Sequence, residues 1–124
     1  MPLFESGEMY LETLLLLFKQ MPHVRSLDLA ETMNYSKPSV SRAVGILKAD
    51  GYILVDDNGY ITFTTKGKTL ANKIYDRHVT ISKLLERLGV DDKTATEDAC
   101  RIEHVISDKS FKAIKNFAKN YPER

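Results

Sequence analysis

The chain has 124 residues, 43% apolar and 28% charged, which describes a soluble globular protein of one ordinary domain or two small ones sharing a helix. No segment approaches the ~18–20 apolar residues of a membrane span: Leu14-Leu15-Leu16-Leu17-Phe18 is short and sits among Glu5, Glu8 and Glu12, an acidic start unlike the basic n-region of a secretory signal. The one cysteine cannot form an internal disulfide, so a reducing cytoplasm is expected.

Taken in chain order, residues 8–20 read as a helix with Tyr10, Leu11, Leu14, Leu15 and Phe18 on one apolar stripe, ended by Met21-Pro22-His23. Ser26 is the expected N-cap of a short helix over Leu27–Met33, with Leu29, Ala30 and Met33 as its buried side. Asn34-Tyr35 is a turn, and Ser36 caps a second helix that carries Pro38 in its first turn and is stopped by Gly51. Val40, Val44 and Leu47 point inward from it, which outlines a helix-turn-helix. Ile53–Asp57 and Tyr60–Thr64 then alternate around Asn58-Gly59, the preferred two-residue hairpin turn, so a β-hairpin follows and the whole is a winged helix. Thr65 is the expected cap of a long helix to about Leu88, where Gly89 breaks it. Helices over roughly Lys93–Ile106 and Lys109–Asn120 complete the chain, the last with Phe111, Ile114, Phe117 or Ala118, and Tyr121 along one side. The expected fold is mainly α with a small β-hairpin: a winged helix-turn-helix DNA-binding domain over residues 1–72, then a helical domain over 73–124.

Net charge is only +1, but it is segregated. Residues 25–88 hold ten bases and seven acids, whereas residues 89–108 hold six acids against Lys93 and Arg101. From Ser36 to Lys48 there are three bases, Lys37, Arg42 and Lys48, and no acid, with Ser36, Ser39 and Ser41 interleaved. A helix entering a DNA groove must not bring carboxylates to phosphate, and needs Arg or Lys with small hydroxyls that allow close approach. Ser36 and the first-turn N–H groups suit a phosphate, and Ser39 and Arg42 share a face that could reach base edges. The wing tip, with Asp56 and Asp57, is a poor phosphate clamp; Lys66 and Lys68 just beyond it are better placed. Tyr35 is expected to pack in the core. A winged helix used for protein contacts is the alternative.

Cys100, Glu103 and His104 are three and four residues apart and converge on one helical face, while Arg101 and Ile102 point elsewhere. Thiolate, carboxylate and neutral imidazole suit a divalent transition metal such as Fe(II), Co(II), Ni(II) or Zn(II). His78 in the long helix reads by itself as a surface or core histidine, and Met9 as core filler sharing a face with Glu12. His23, in a loop, has no assigned role.

Several separated motifs, in order, resemble one family over residues 8 to about 121: the metal-dependent repressors typified by the diphtheria toxin repressor and the manganese transport regulator. They are Glu8-Met9-Tyr10-Leu11-Glu12, Val40-Ser41-Arg42-Ala43-Val44, Asp50-Gly51-Tyr52-Ile53, Thr64-Thr65-Lys66-Gly67, Arg77-His78 and Glu97-Asp98-Ala99-Cys100-Arg101-Ile102-Glu103-His104. The resemblance implies a principal metal site of Met9, Cys100, Glu103 and His104, with the first helix supplying one ligand and the dimerisation helices the rest. It also implies a homodimer on a palindromic double-stranded DNA operator, with Phe111, Ile114 and Tyr121 in much of the dimer contact and no membrane or small-molecule substrate involved. The candidate DNA-contact residues, read from the chemistry of the second helix and the segment past the wing, are Ser36, Lys37, Pro38, Ser39, Ser41, Arg42, Lys48 and Lys66.

In that family, Met and Cys at the positions of Met9 and Cys100 accompany iron response and carboxylates there accompany manganese. Thioether and thiolate are soft donors poorly matched to Mn(II), so Fe(II) is the expected activator, with Mn(II), Co(II), Ni(II) and Zn(II) left open. The family's ancillary site needs a glutamate and a histidine where this chain has Ser82 and Thr96, and the resemblance is to a short form without the extra C-terminal domain of longer members. Glu12 and His78, with Glu103, offer a second ion another place. The expected function is metal-activated repression of metal-ion homeostasis genes. The competing class is a metal-independent winged-helix regulator or interaction module, with Cys100 and His104 in the core. No nucleophile–base pair or phosphate loop points to an enzyme.

Overall fold

The computed structural model of the chain describes residues 5–120, with side chains from residue 7 onward. Two compact units divide between Asn72 and Lys73. The first holds α1 (Glu5–Gln20), α2 (Ser26–Met33), α3 (Lys37–Ala49), the strands β1 (Ile53–Val55) and β2 (Ile61–Phe63), and the start of α4 (Thr65–Arg87). The second holds the rest of α4, α5 (Asp92–Val105) and α6 (Asp108–Asn120). No helix of the described residues is long and apolar enough to cross a membrane.

The core of the first unit is the sum of three apolar stripes. Leu11, Leu14, Leu29, Val40 and Leu47 are fully buried, each contributing about 1.5–3 kcal/mol through removal of apolar surface from water. Leu17, absent from the predicted stripe, is buried too. Met33 is half-buried, and Phe18 meets the Phe63 ring edge-on at 5.0 Å. Tyr35 is exposed rather than core, touching Tyr10 only by an edge contact at 6.0 Å.

Local chemistry explains the ends of the elements, and three expected details change. The N-cap of α2 is Arg25, not Ser26: the Arg25 N–H donates to the Asp28 carboxylate (2.8 Å), and Ser26 is already helical. Asn34 takes the left-handed conformation (φ 57°) that turns α2 into α3, and Ser36 accepts from the Ser39 N–H (3.3 Å) as expected. In the hairpin, β1 pairs antiparallel with β2 in the register Ile53↔Phe63, Leu54↔Thr62 and Val55↔Ile61. Its loop is not the two-residue Asn58-Gly59 turn. Asp56 and Tyr60 close it (3.0 Å), the Gly59 N–H returns to the Asp56 carbonyl (3.0 Å), and only Gly59 has positive φ (81°). This is the three-residue loop in which a type I turn is followed by a left-handed glycine. The Asp56 carboxylate drives it by accepting from the Asn58 and Tyr60 N–H groups, both at 2.9 Å.

The hairpin is tied back to the α1–α2 connection. The Ile61 N–H donates to the Val24 carbonyl (2.8 Å), His23 stacks on the Tyr60 ring (4.3 Å, 10°), and the Arg25 guanidinium lies 4.7 Å from the same ring. At the start of α4 the cap is Thr64 rather than Thr65: its hydroxyl accepts from the Gly67 N–H (3.0 Å) and donates toward the Gly51 carbonyl (2.6 Å). A Cβ on Gly67 would lie 1.9 Å from the Tyr52 carbonyl oxygen, so only glycine lets this turn pack there.

In the second unit, Ile81, Ala99 and Phe111 form a small core, with Leu85, Ile102 and Ile106 packed against it. Asp91 caps α5 by accepting from the Thr94 N–H (3.0 Å), which holds its carboxyl below the ordinary value, and the Ser107 hydroxyl accepts from the Ser110 N–H (3.0 Å). Phe111 is packed within its own unit and only 8% exposed, so it leaves little surface for the expected dimer contact. Leu88, Val105 and Phe117 are the exposed large apolar residues there, at 71%, 72% and 50%. Tyr121 lies outside the described residues.

Candidate metal centre and nucleic-acid interface

The helical spacing of Cys100, Glu103 and His104 does what it implies. Donor atoms of the three lie within 4.8 Å of one another, a separation on the scale of the ligand cage of one ion, whose bonds run about 2.0–2.3 Å. Arg101 is exposed, and Ile102 packs on the small core, so the intervening residues do point away. Cys100 is half-buried and Glu103 is fully buried.

Glu103 is the unusual member. Its Oε1 lies 3.3 Å from His104 Nε2 and its Oε2 lies 3.2 Å from Nδ1 of His78 on α4. These contacts are close enough for charge attraction, yet neither carboxylate oxygen accepts a hydrogen bond from any described donor. A buried carboxylate without hydrogen bonds is costly, and one whose lone pairs face imidazole nitrogens and a thiol is the donor set of a transition-metal site. The residues present therefore fit a divalent metal ion.

Behind them, Arg77 is buried beside His78. Its Nη1 donates to the Glu103 and Ile106 carbonyls (3.0 Å each), and its Nη2 pairs with Asp108. Lys73 joins Asp108 from the other side (2.8 Å), and the two cations, Lys73 the stronger, hold that carboxyl below its ordinary value. The sequence offered Arg77 only as half of a motif. Its partners lie 26 to 31 residues away, so no local pattern could reveal the contact.

The remaining residues of the expected metal set lie in the first unit. Met9 and Glu12 are half-buried on α1, three positions apart and hence on one face, with the Thr13 hydroxyl donating to the Met9 carbonyl (2.9 Å). Ser82 is half-buried and Thr96 exposed, and neither brings a carboxylate or imidazole to an ancillary site.

On α3 the expected DNA-contact residues are at the surface: Ser36, Lys37, Pro38, Ser41, Arg42 and Lys48 are exposed and Ser39 is half-exposed. Ser36 is engaged in capping, its hydroxyl donating to Ser39 Oγ (2.8 Å). Lys66 is exposed; its ammonium donates to the Asp50 carbonyl at the end of α3 (3.0 Å) and lies 4.3 Å from the Tyr52 ring, two contacts that compete with a phosphate for it.

A winged helix with an acid-free second helix, joined in one chain to a helical unit with a thiol–carboxylate–imidazole face, defines a metal-responsive DNA-binding regulator. The comparisons agree along the whole chain. The family model for the iron-dependent repressor N-terminal DNA-binding domain matches residues 2–61, and that for the iron-dependent repressor metal-binding and dimerisation domain matches residues 64–124. The chain belongs to the iron-dependent repressor family, metal-responsive transcriptional repressors of metal homeostasis.

It is 35% identical over 122 residues to an uncharacterised HTH-type transcriptional regulator of Methanocaldococcus jannaschii, covering 97% of this chain and 98% of that protein. It is 32% identical over 108 residues to the diphtheria toxin repressor of Corynebacterium diphtheriae, covering 86% of this chain and 48% of that protein. The structure of the manganese regulator SloR superposes with a TM-score of 0.80 at 29% identity, covering 98% of this chain and 56% of that one. The chain thus spans about half the length of the last two. By name these relatives are a transcriptional regulator, a repressor and a manganese regulator.

Proposed function

We propose that the protein is an iron-activated repressor whose metal centre consists of Cys100, Glu103 and His104 from α5 with Met9 from α1, and that it binds a palindromic operator as a homodimer to repress metal-uptake genes. The observation that carries the reading is the fully buried Glu103 carboxylate, set between two imidazoles without a hydrogen bond and beside the lone thiol. A divalent ion bound there would supply positive charge to the buried Glu103 carboxylate and, with Met9 as a ligand, would join α5 to α1. Glu12 and His78 complete a second position that shares Glu103, whose Oε2 already faces His78.

The soft donors favour Fe(II) over Mn(II). Linking α1 to α5 sets the position of each α3, and in a dimer that fixes the spacing of two half-sites, about one helical turn of DNA or a multiple of it apart. Linkage then requires DNA to tighten metal binding by the factor by which metal tightens DNA binding. Ser39 and Arg42 contact base edges while Ser36, Lys37, Pro38, Ser41 and Lys48 position the phosphates, with Lys66 a weaker contributor because of its engagement with Asp50 and Tyr52. Leu88, Val105 and Phe117 supply exposed apolar surface for the dimer.

The test is selection of binding sites from random duplex DNA under anaerobic conditions with Fe(II), followed by mobility shift of the selected duplex with and without each metal. Two-fold related half-sites retained only with metal are expected. Metal-insensitive binding would favour the metal-independent regulator, and a response to Mn(II) with none to Fe(II) would overturn the iron reading.

A further inference from the structure

Arg77 is the one buried cation among the described residues, 9% exposed, and it immediately precedes His78 on α4. The last four carbonyls of a helix lack intrahelical donors, and a cation there also meets the negative end of the helix dipole. Arg77 uses both effects at the end of α5: Nη1 donates to the carbonyl of Glu103 and to that of Ile106, each at 3.0 Å. Its Nη2 pairs with Asp108, the first residue of α6, and its guanidinium carbon lies 5.5 Å from the Phe111 ring. One rigid fork of donors thus joins α4, α5 and α6 directly behind the candidate ligands.

A bond to the Glu103 carbonyl fixes the backbone from which the Glu103 carboxylate springs, and the cation making that bond is the sequence neighbour of the imidazole the carboxylate faces. We propose that Arg77 is a positioning residue for the metal centre, holding Glu103 in register with His78 and His104 before metal arrives. This rests on the reading of Cys100, Glu103 and His104 as metal ligands. Arg77 is not itself a ligand, because a guanidinium stays protonated and offers no lone pair. It acts one step behind the ligand, through the Glu103 backbone, and the cost of losing a hydrogen bond to a ligand side chain, about 10–100-fold in metal affinity, sets the scale expected.

The test uses Co(II) as the probe, added anaerobically to the full chain, with affinity, visible absorption bands and the melting midpoint of the metal-free protein all recorded. Arg77→Lys keeps the charge but cannot span two carbonyls and Asp108 together; Arg77→Met keeps the length and removes the donors. Arg77→Lys is expected to melt, metal-free, within a few degrees of wild type, yet to bind Co(II) about 10–100-fold more weakly with shifted bands. Arg77→Met is expected to bind more weakly still. Wild-type Co(II) affinity and bands in folded Arg77→Lys would overturn the proposal, whether or not Arg77→Met folds. His104→Ala separates the two levels: it is expected to lose Co(II) binding, and wild-type binding there would overturn the ligand assignment beneath the proposal.

Discussion

The two units treat polar groups in opposite ways. In the first, the element ends are capped by partners close in sequence, Ser36 with Ser39, Asp28 with Arg25, Asp56 with the loop it closes and Thr64 with Gly67, and longer ties such as Ile61 to Val24 and Lys66 to Asp50 hold the hairpin in place. Among the described residues, its fully buried side chains are all apolar. The second unit buries both charged side chains that the described residues bury, Arg77 and Glu103, beneath a much smaller apolar core. One charge meets helix-end carbonyls and an aspartate through Nη1 and Nη2, leaving only its Nε without a hydrogen bond; the other has imidazoles nearby and no hydrogen bond at either oxygen. A reading head must hold its shape whether or not a signal is present, and the first unit is built so. A sensor needs a place that is unfavourable until the ligand fills it, which is the part proposed above for Glu103.

Four perturbations can break or sharpen this contrast. Leu47→Ala, in the fully buried centre of α3, is expected to destabilise the protein by about 2–5 kcal/mol through lost burial and cavity formation. Denaturant unfolding with and without metal checks it, and the loss should be the same in both. Gly67→Ala forces a methyl onto the Tyr52 carbonyl and is expected to lose about 1–3 kcal/mol. An unchanged midpoint would mean that the hairpin and α4 do not pack closely in solution.

Glu103→Met has the opposite sign. Removing a buried carboxylate without hydrogen bonds should stabilise the metal-free protein by about 1–3 kcal/mol while abolishing metal binding. Loss of metal-free stability would show that Glu103 is structurally satisfied and not poised for a ligand. The smallest effect concerns Asp108, whose carboxyl is held below its ordinary value first by Lys73 and then by Arg77. The folded state binds that proton less readily than the unfolded state, so this contribution is full above the ordinary aspartate range and is lost as pH falls through the folded value. The carboxylate is open to solvent, so Asp108→Asn should only flatten the acid side of the stability–pH curve slightly; a curve superimposable on wild type would refute it.

Much of this could be read from the chain because the relevant signals are local. Periodicity of 3.6 gave α1 to α6, alternation around Asn58-Gly59 gave the hairpin, and the i, i+3, i+4 spacing put Cys100, Glu103 and His104 together. Where neighbouring residues share the same chemistry, the choice failed by one position, as with Thr64 for Thr65. The Asn58-Gly59 pair reads as a two-residue turn, but the Asp56 carboxylate selects a three-residue loop in which Gly59 alone has positive φ. Phe111 lay on the expected apolar face of α6, but a stripe does not say what covers it, and the answer was Ile81 and Ala99. Burial of Glu103 and the reach of Arg77 depend on contacts 25 or more residues apart, which no window along the chain contains.

Whether the polar face of α5 is a metal centre is decided by diffraction from crystals grown anaerobically with Fe(II), recorded on both sides of the iron absorption edge. An anomalous peak is expected within bonding distance of Cys100 Sγ, the Glu103 carboxylate and an imidazole nitrogen of His104. A peak bound elsewhere, or these three side chains ordered with no peak among them, would contradict it.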